Sequence, residues 1–308
     1  MKIIVTGGIG FIGYHLCVEL LLQGHYVFCI DNHSSSNKKN LEKLSKFDNF
    51  RFICHDIIHP IPFIDKVNQI YHLACPASPV YYQSNPIHTI KTCVIGTLNV
   101  LDLAVKNNSK VLFTSTSEIY GDPHISPQNE EYRGNVNPFG PRACYDEGKR
   151  MGETILFEYH DKYNLPICIA RLFNTYGPNM NANDGRVVSN IINQCLQNKP
   201  ITIYGDGSQT RSFCYVSDTV SGLIKLMNNT IIKPINIGNP HEITIKELSE
   251  LCIQFISPES HIIYKDLPTD DPKIRNPDIS KAKKILNWEP KVPLETGLKK
   301  TIEYFKLY

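Results

Sequence analysis

At 308 residues, 42% of them hydrophobic, the chain is long enough to bury a sizeable core as one large α/β unit or as two domains. A formal net charge of +2 with 20% charged residues leaves no basic block for nucleic acid or an acidic lipid surface, and no apolar run approaches the roughly 20 residues of a membrane span. The first strand pattern begins at Lys2, which leaves no room for a signal peptide, and ten cysteines scattered without Cys-x-x-Cys pairing read as reduced core residues, so a cytoplasmic location without a metal site is expected.

In chain order, Lys2-Ile3-Ile4-Val5-Thr6 predicts a buried parallel strand, and Gly7-Gly8-Ile9-Gly10-Phe11-Ile12-Gly13 follows at once. Gly7, Gly10 and Gly13 permit a tight turn, a close approach of backbone to a pyrophosphate and close packing of helix on strand. The spacing is G-x-x-G-x-x-G rather than the usual G-x-G-x-x-G. A second strand, Tyr26 to Ile30, ends in Asp31, where an acidic residue binds a ribose 2′-hydroxyl. Asp31 would repel a 2′-phosphate, which favours NAD over NADP, although Lys38 and Lys39 nearby temper that preference.

Further strands are expected at 51–54, 68–73, 110–114 and 167–172, with helices near 11–23, 84–106 and 142–163. This alternation predicts an α/β fold, a doubly wound parallel sheet of the Rossmann type. Beyond Gly177 come a polar loop from Asn179 to Asp184, a helix near 185–197, a strand at 201–204 and the turn Gly205-Asp206-Gly207. Helices near 217–228, 244–255 and 294–305 and a Pro-rich joint from Leu267 to Pro277 complete the chain. The expected division is a dinucleotide-binding domain at 1–176 and a smaller substrate-binding lobe at 177–308 that closes over the carboxyl edge of the sheet, with some C-terminal segments returning to the main sheet.

Chemistry concentrates in Thr114-Ser115-Thr116-Ser117-Glu118-Ile119-Tyr120-Gly121 and Tyr145-Asp146-Glu147-Gly148-Lys149, which supply a hydroxyl, a carboxylate and a Tyr/Lys pair. Four residues separate Tyr145 from Lys149, so a helix puts both on one face. A free tyrosine has a pKa of about 10, and an ammonium beside it favours the phenolate and brings it into range as a base. Tyr-x-x-x-Lys alone also arises by chance on an amphipathic surface helix, so it needs the glycine turn and the Thr116 strand beside it.

Taken together, the glycine turn, Thr116, Tyr145 and Lys149 resemble the extended short-chain dehydrogenase/reductases that act on nucleotide sugars, along almost the whole chain. Within that family, His72-Leu73-Ala74-Cys75-Pro76-Ala77-Ser78-Pro79, Tyr81-Tyr82-Gln83, Gly134 to Pro138, Arg171 to Pro178 and Asp184 to Asn190 resemble the branch that decarboxylates UDP-glucuronate. Ser117 stands where the 4,6-dehydratases usually carry an aspartate, and Glu118 stands where the 4-epimerases usually lack a glutamate.

The resemblance implies a homodimer with tightly held NAD and UDP-glucuronate as substrate. Catalysis is assigned to Thr116, Ser117, Glu118, Tyr145 and Lys149. Cofactor contacts are assigned to Gly7, Gly10, Phe11, Ile12, Gly13, Asp31, Asn32, Asp56, Ile57, Leu73 and Ala74, besides Tyr145 and Lys149. Asn174, Arg211 and Arg275 are expected on the diphosphate, Tyr81 and Tyr82 at the sugar carboxylate, and Arg186 and Tyr204 beside the uracil. Two departures are visible: Cys93 occupies a place where such relatives commonly carry asparagine, which puts a polar contact in doubt, and the loop Asn32 to Lys38 lacks its usual glycine.

Overall fold

The computed structural model describes residues 1–62, 66–267 and 274–307. Its centre is a seven-stranded sheet of β1 (Lys2–Thr6), β2 (Tyr26–Asp31), β3 (Phe50–Cys54), β4 (Gln69–His72), β5 (Lys110–Thr116), β6 (Ile167–Leu172) and the edge strand Ile235–Ile237. The spatial order is β3, β2, β1, β4, β5, β6, edge strand, and every pairing is parallel. The order reverses between β1 and β4, which opens a crevice at their carboxyl ends.

These strands read as continuous apolar runs because both faces are covered. Ile3, Val5, Leu112, Cys168 and Ala170 face one core with Leu16 and Leu20 of α1 (Phe11–Leu22) and with Val220 and Leu223 of the helix Val216–Met227. Ile4, Val111, Phe113, Ile167 and Ile169 face a second core with Val100 and Leu101 of the helix Thr97–Asn107 and with Leu156 of the helix Ala143–Tyr163.

The helix expected near 84–106 is segmented, with short helices at Pro79–Ser84 and Pro86–Lys91, a π-helical turn at Thr92–Gly96 and the helix Thr97–Asn107. Asn85 interrupts it, and Pro86 at the first position of the next helix restarts it. The strand expected at 201–204 is present as Ile201–Tyr204, whereas the other short strands after Gly177, including the edge strand, and the helices Lys38–Leu44 and Ser280–Leu286 escaped the sequence pattern, because stretches of two to seven residues carry too little periodicity. Part of the expected Pro-rich joint, 268–273, lies outside the described residues.

The chain after Gly177 contributes to both regions. The helix Val216–Met227 and the edge strand extend the central layers, while Val187–Leu196, Ile245–Ile256 and the paired strands Ile201–Tyr204 and Ile262–Lys265 build a lobe over the crevice. The loop before that lobe is tied down where the Ser78 hydroxyl donates to the Asp184 carbonyl and the Ser189 hydroxyl donates to Asp184 Oδ1 at 2.6 Å. The loop lacking its glycine is accommodated by His33, which takes φ +61° itself.

Candidate active site

A cavity of about 700 Å³ runs along the carboxyl ends of the strands, and every residue assigned a catalytic, cofactor or substrate role from the sequence lies on its wall. The reason is topological: Gly7, Asp31, Asp56, Leu73, Thr116 and Asn174 each fall at or just past the end of a strand, where a doubly wound sheet exposes its loops.

At the β1 end the site fits a dinucleotide. Gly7 adopts φ +71°, and a Cβ there would stand 2.9 Å from the Ala74 backbone, while one on Gly13 would stand 2.1 Å from the Gly7 carbonyl. α1 starts with no side-chain cap and no acidic residue in its first turn, so its N–H groups are left for an anion. Phe11 and Ile12 line the same turn. Asp31 Oδ1 accepts from the His33 N–H at 2.9 Å and the Ser36 hydroxyl at 3.1 Å, and burial raises its carboxyl above the usual range. Next to it Asp56 accepts from Asn32 Nδ2 at 2.9 Å and meets His88 at 2.8 Å, with Ile57 alongside.

The catalytic cluster spans β5 and the helix Ala143–Tyr163. Thr116 caps the turn Ser117–Tyr120, accepting from the Glu118 N–H at 3.2 Å, and its side chain is hydrogen-bonded to Tyr145. Ser117 is buried on the cavity wall. Lys149, 3% exposed, donates to the Thr114 carbonyl at 2.8 Å and lies 4.7 Å over the Phe113 ring. Burial pushes the Tyr145 hydroxyl well above its ordinary value, Cys75 adds to the rise, and the hydrogen bond with Thr116 opposes it.

Glu118 is held from two sides, by Arg142 Nη2 at 2.5 Å and by Arg275 Nη2 at 3.1 Å. Burial alone would raise its carboxyl, yet Arg275 and Arg142 hold it down at about 2. Arg275 is 1% exposed, donates from Nη1 to the Gly121 carbonyl at 2.8 Å, and lines the cavity beside Glu118. Arg211 is its register partner on the neighbouring strand and remains half-buried on the cavity wall.

Of the remaining assigned residues, Tyr82 stacks on Tyr145 with ring centroids 5.1 Å apart, and its buried hydroxyl has no hydrogen-bond partner. Tyr81 accepts from Asn181 Nδ2 at 2.8 Å, while Arg186 is tethered to the Ala77 carbonyl at 3.3 Å. Tyr204 and Asn174 line the lobe side of the cavity. Cys93, by contrast, meets Cys75 rather than a ligand space, with the sulfurs 3.3 Å apart.

A family model described as GDP-mannose 4,6 dehydratase matches residues 4–301. UDP-glucuronic acid decarboxylase 6 of Arabidopsis thaliana is 54% identical over 309 residues, covering 100% of this chain and 89% of its own length. UDP-glucuronic acid decarboxylase 1 of Danio rerio is 53% identical over 304 residues, covering 99% of this chain and 72% of its own. The chain belongs to the UDP-glucuronic acid decarboxylase family.

Its fold is shared more widely than that family. UDP-glucose 4-epimerase of Thermotoga maritima with UDP-glucose superposes with a TM-score of 0.93 at 31% identity, covering 100% of this chain and 99% of that one. UDP-glucuronic acid 4-epimerase of Bacillus cereus, in complex with UDP-glucuronic acid and NAD, superposes with a TM-score of 0.89 at 29% identity over the whole of both chains.

For a member of the decarboxylase family, two residues beside the cluster went unremarked in the sequence. Arg142 clamps Glu118, and Asp146, whose Oδ1 is buried without a hydrogen-bond partner, lies 3.9 Å from Arg142 Nε. Burial and the Glu118 charge push the Asp146 carboxyl up to about 8, against the pull of Arg142 and Arg275. The available signal was an Arg and an Asp four residues apart bracketing Tyr145, a charge pair buried beside a base.

Proposed function

We propose that this protein is an NAD-dependent UDP-glucuronate decarboxylase that forms UDP-xylose and CO₂. The observation that carries the proposal is Glu118: it follows Ser117 at the end of β5, seated on Arg142 and Arg275 and in the same cavity as Thr116 and Tyr145. Bound NAD⁺ would take a hydride from C4 of the sugar and later return it. Tyr145 accepts the C4 hydroxyl proton, with Thr116 and Lys149 fixing and polarising it. The C4 ketone is then β to the C6 carboxylate, so loss of CO₂ leaves an enolate whose oxygen is stabilised by the Tyr145 and Thr116 hydroxyls, a contribution of about 3–4 kcal/mol per donor. Ser117 adds no carboxylate charge that would repel C6, and Glu118, kept ionised by its two guanidinium partners, assists ring distortion or proton delivery through water.

Asp31 with the α1 turn suits the ribose and pyrophosphate of NAD, and Arg211 with Asn174 suits the diphosphate of the sugar nucleotide, where a planar guanidinium pairs with phosphate oxygens. Tyr82, with its unpartnered hydroxyl, suits the sugar end. A homodimer in the cytoplasm belongs to the same proposal. It is supported by exposed Ile87, Ile90 and Ile95 on one helical run and exposed Met151 and Phe157 on the helix Ala143–Tyr163, and by ten free cysteines. Among the described residues no helix is long and apolar enough to cross a membrane.

The test is product analysis. Purified protein given UDP-glucuronate and no reductant is expected to release CO₂ and a UDP-pentose by mass spectrometry, and to leave UDP-glucose without a stable 4-keto-6-deoxy product. Conversion of UDP-glucuronate to an isomer of equal mass would make the protein a 4-epimerase. Efficient dehydration of UDP-glucose would make it a 4,6-dehydratase.

A further inference from the structure

Seven of the ten cysteines are buried, but Cys75 is only partly so and forms part of the cavity wall just past β4. Behind it, in the π-helical turn, Cys93 is 2% exposed, and the two sulfurs touch at 3.3 Å. Cys93 also packs on the catalytic helix: a Cβ on Gly148 would stand 2.9 Å from Cys93 Cβ and 3.0 Å from its sulfur, within the turn between Tyr145 and Lys149. Burial would raise the Cys75 thiol, but the hydrogen bond from Cys93 and the charge of Lys149 bring it below its ordinary value. That bond and burial keep the Cys93 thiol protonated. An ionisable thiol on the cavity wall, with a protonated thiol in contact behind it, is the arrangement of an oxidation-sensitive site.

We propose that Cys75 and Cys93 form a peroxide-sensitive dithiol site whose oxidation to a disulfide reversibly stops turnover. The Cys75 thiolate attacks one oxygen of a hydroperoxide, breaking the O–O bond. The departing alkoxide or hydroxide takes the proton that Cys75 had released. The sulfur of Cys93 then attacks the Cys75 sulfenic acid, the S–O bond breaks, and hydroxide leaves as water with the Cys93 proton. Two thiols and one hydroperoxide thus become one disulfide, one alcohol or water, and one further water. Reaching bonding distance requires the sulfurs to close by about 1 Å, which draws the wall against Gly148 toward β4. A misplacement of about 1 Å at a catalytic helix costs about a hundredfold in rate. Cys17 and Cys29 are also hydrogen-bonded to each other, but both are fully buried, so an oxidant arriving through the cavity does not reach them.

The experiment uses the full-length enzyme treated with hydrogen peroxide, alkylated, digested without reduction and analysed by mass spectrometry. A linked peptide containing Cys75 and Cys93 is expected, with an intact mass about 2 Da lower before alkylation and a roughly hundredfold loss of activity that dithiothreitol restores. Cys93→Ala should keep its basal activity, form no linked peptide, and after peroxide carry sulfinic acid on Cys75 with a loss that dithiothreitol does not reverse. Cys75→Ser should likewise form no link. Wild-type protein without the linked peptide after peroxide, or reversible inactivation of Cys93→Ala equal to that of wild type, would overturn the proposal. Because the link is read by mass, it stands or falls independently of which sugar nucleotide the enzyme turns over.

Discussion

Tyr145 and Asp146 are neighbours that burial moves in the same direction, toward the neutral form, with opposite consequences. For Tyr145, burial raises the hydroxyl above its ordinary value, against the pull of its hydrogen bond with Thr116. Tyr145→Phe removes the hydroxyl and keeps the ring stacked on Tyr82, so the variant should fold and retain NAD while turnover falls at least about a hundredfold. Near-normal turnover would remove Tyr145 from the base position. Asp146 is raised from 3.8 to about 8, so its contribution to stability is fully present below pH 4 and is lost as pH rises toward 8. Asp146→Asn imitates the neutral form. Its melting temperature relative to wild type should therefore climb steadily between pH 5 and pH 8, and a constant difference across that range would show that Asp146 titrates normally.

Among the elements, the helix Ala143–Tyr163 carries the most consequence. Gly148 and Gly152 cost about 1 kcal/mol each inside a helix unless close packing offsets the loss. Both turn inward: Gly148 meets Cys93, and a Cβ on Gly152 would stand 2.5 Å from Phe113 Cζ. Since Phe113 also carries the Lys149 ammonium over its ring, Gly152→Ala should overpack the contact and destabilise the protein by about 1–3 kcal/mol despite alanine's better helix propensity. A urea midpoint that moves upward for this variant would mean that Phe113 yields without cost. The helix itself was legible from its spacing, and its start at Ala143 fell within one residue of the expected 142. Which of its faces holds the glycines against the sheet was not, because that depends on the side chains of β5.

At the scale of the whole molecule, the exposed apolar residues on Pro86–Lys91, on the π-helical turn and on Ala143–Tyr163 form a surface that a second copy would cover. Sedimentation at micromolar concentration should give the mass of two chains for wild type and one for Phe157→Asp, whose charge would be buried unpaired at such an interface. A wild-type monomer would count against the dimer and leave the surface to another use.

The order of strands and helices, the glycine turn, Asp31 and the Thr116, Tyr145 and Lys149 positions follow from local rules, because periodicity, turn chemistry and i,i+4 spacing act within a few residues. The sequence alone therefore determined the doubly wound class and the group that meets at the strand ends. Only the tertiary structure decided where charges come to rest. Arg275 and Arg142 converge on Glu118 from positions 157 and 24 residues away, Lys149 turns to the Thr114 carbonyl, and Cys75 and Cys93 meet across 18 residues. Such pairings join strand ends to loops distant in the chain, and burial there strengthens every charge that is brought together.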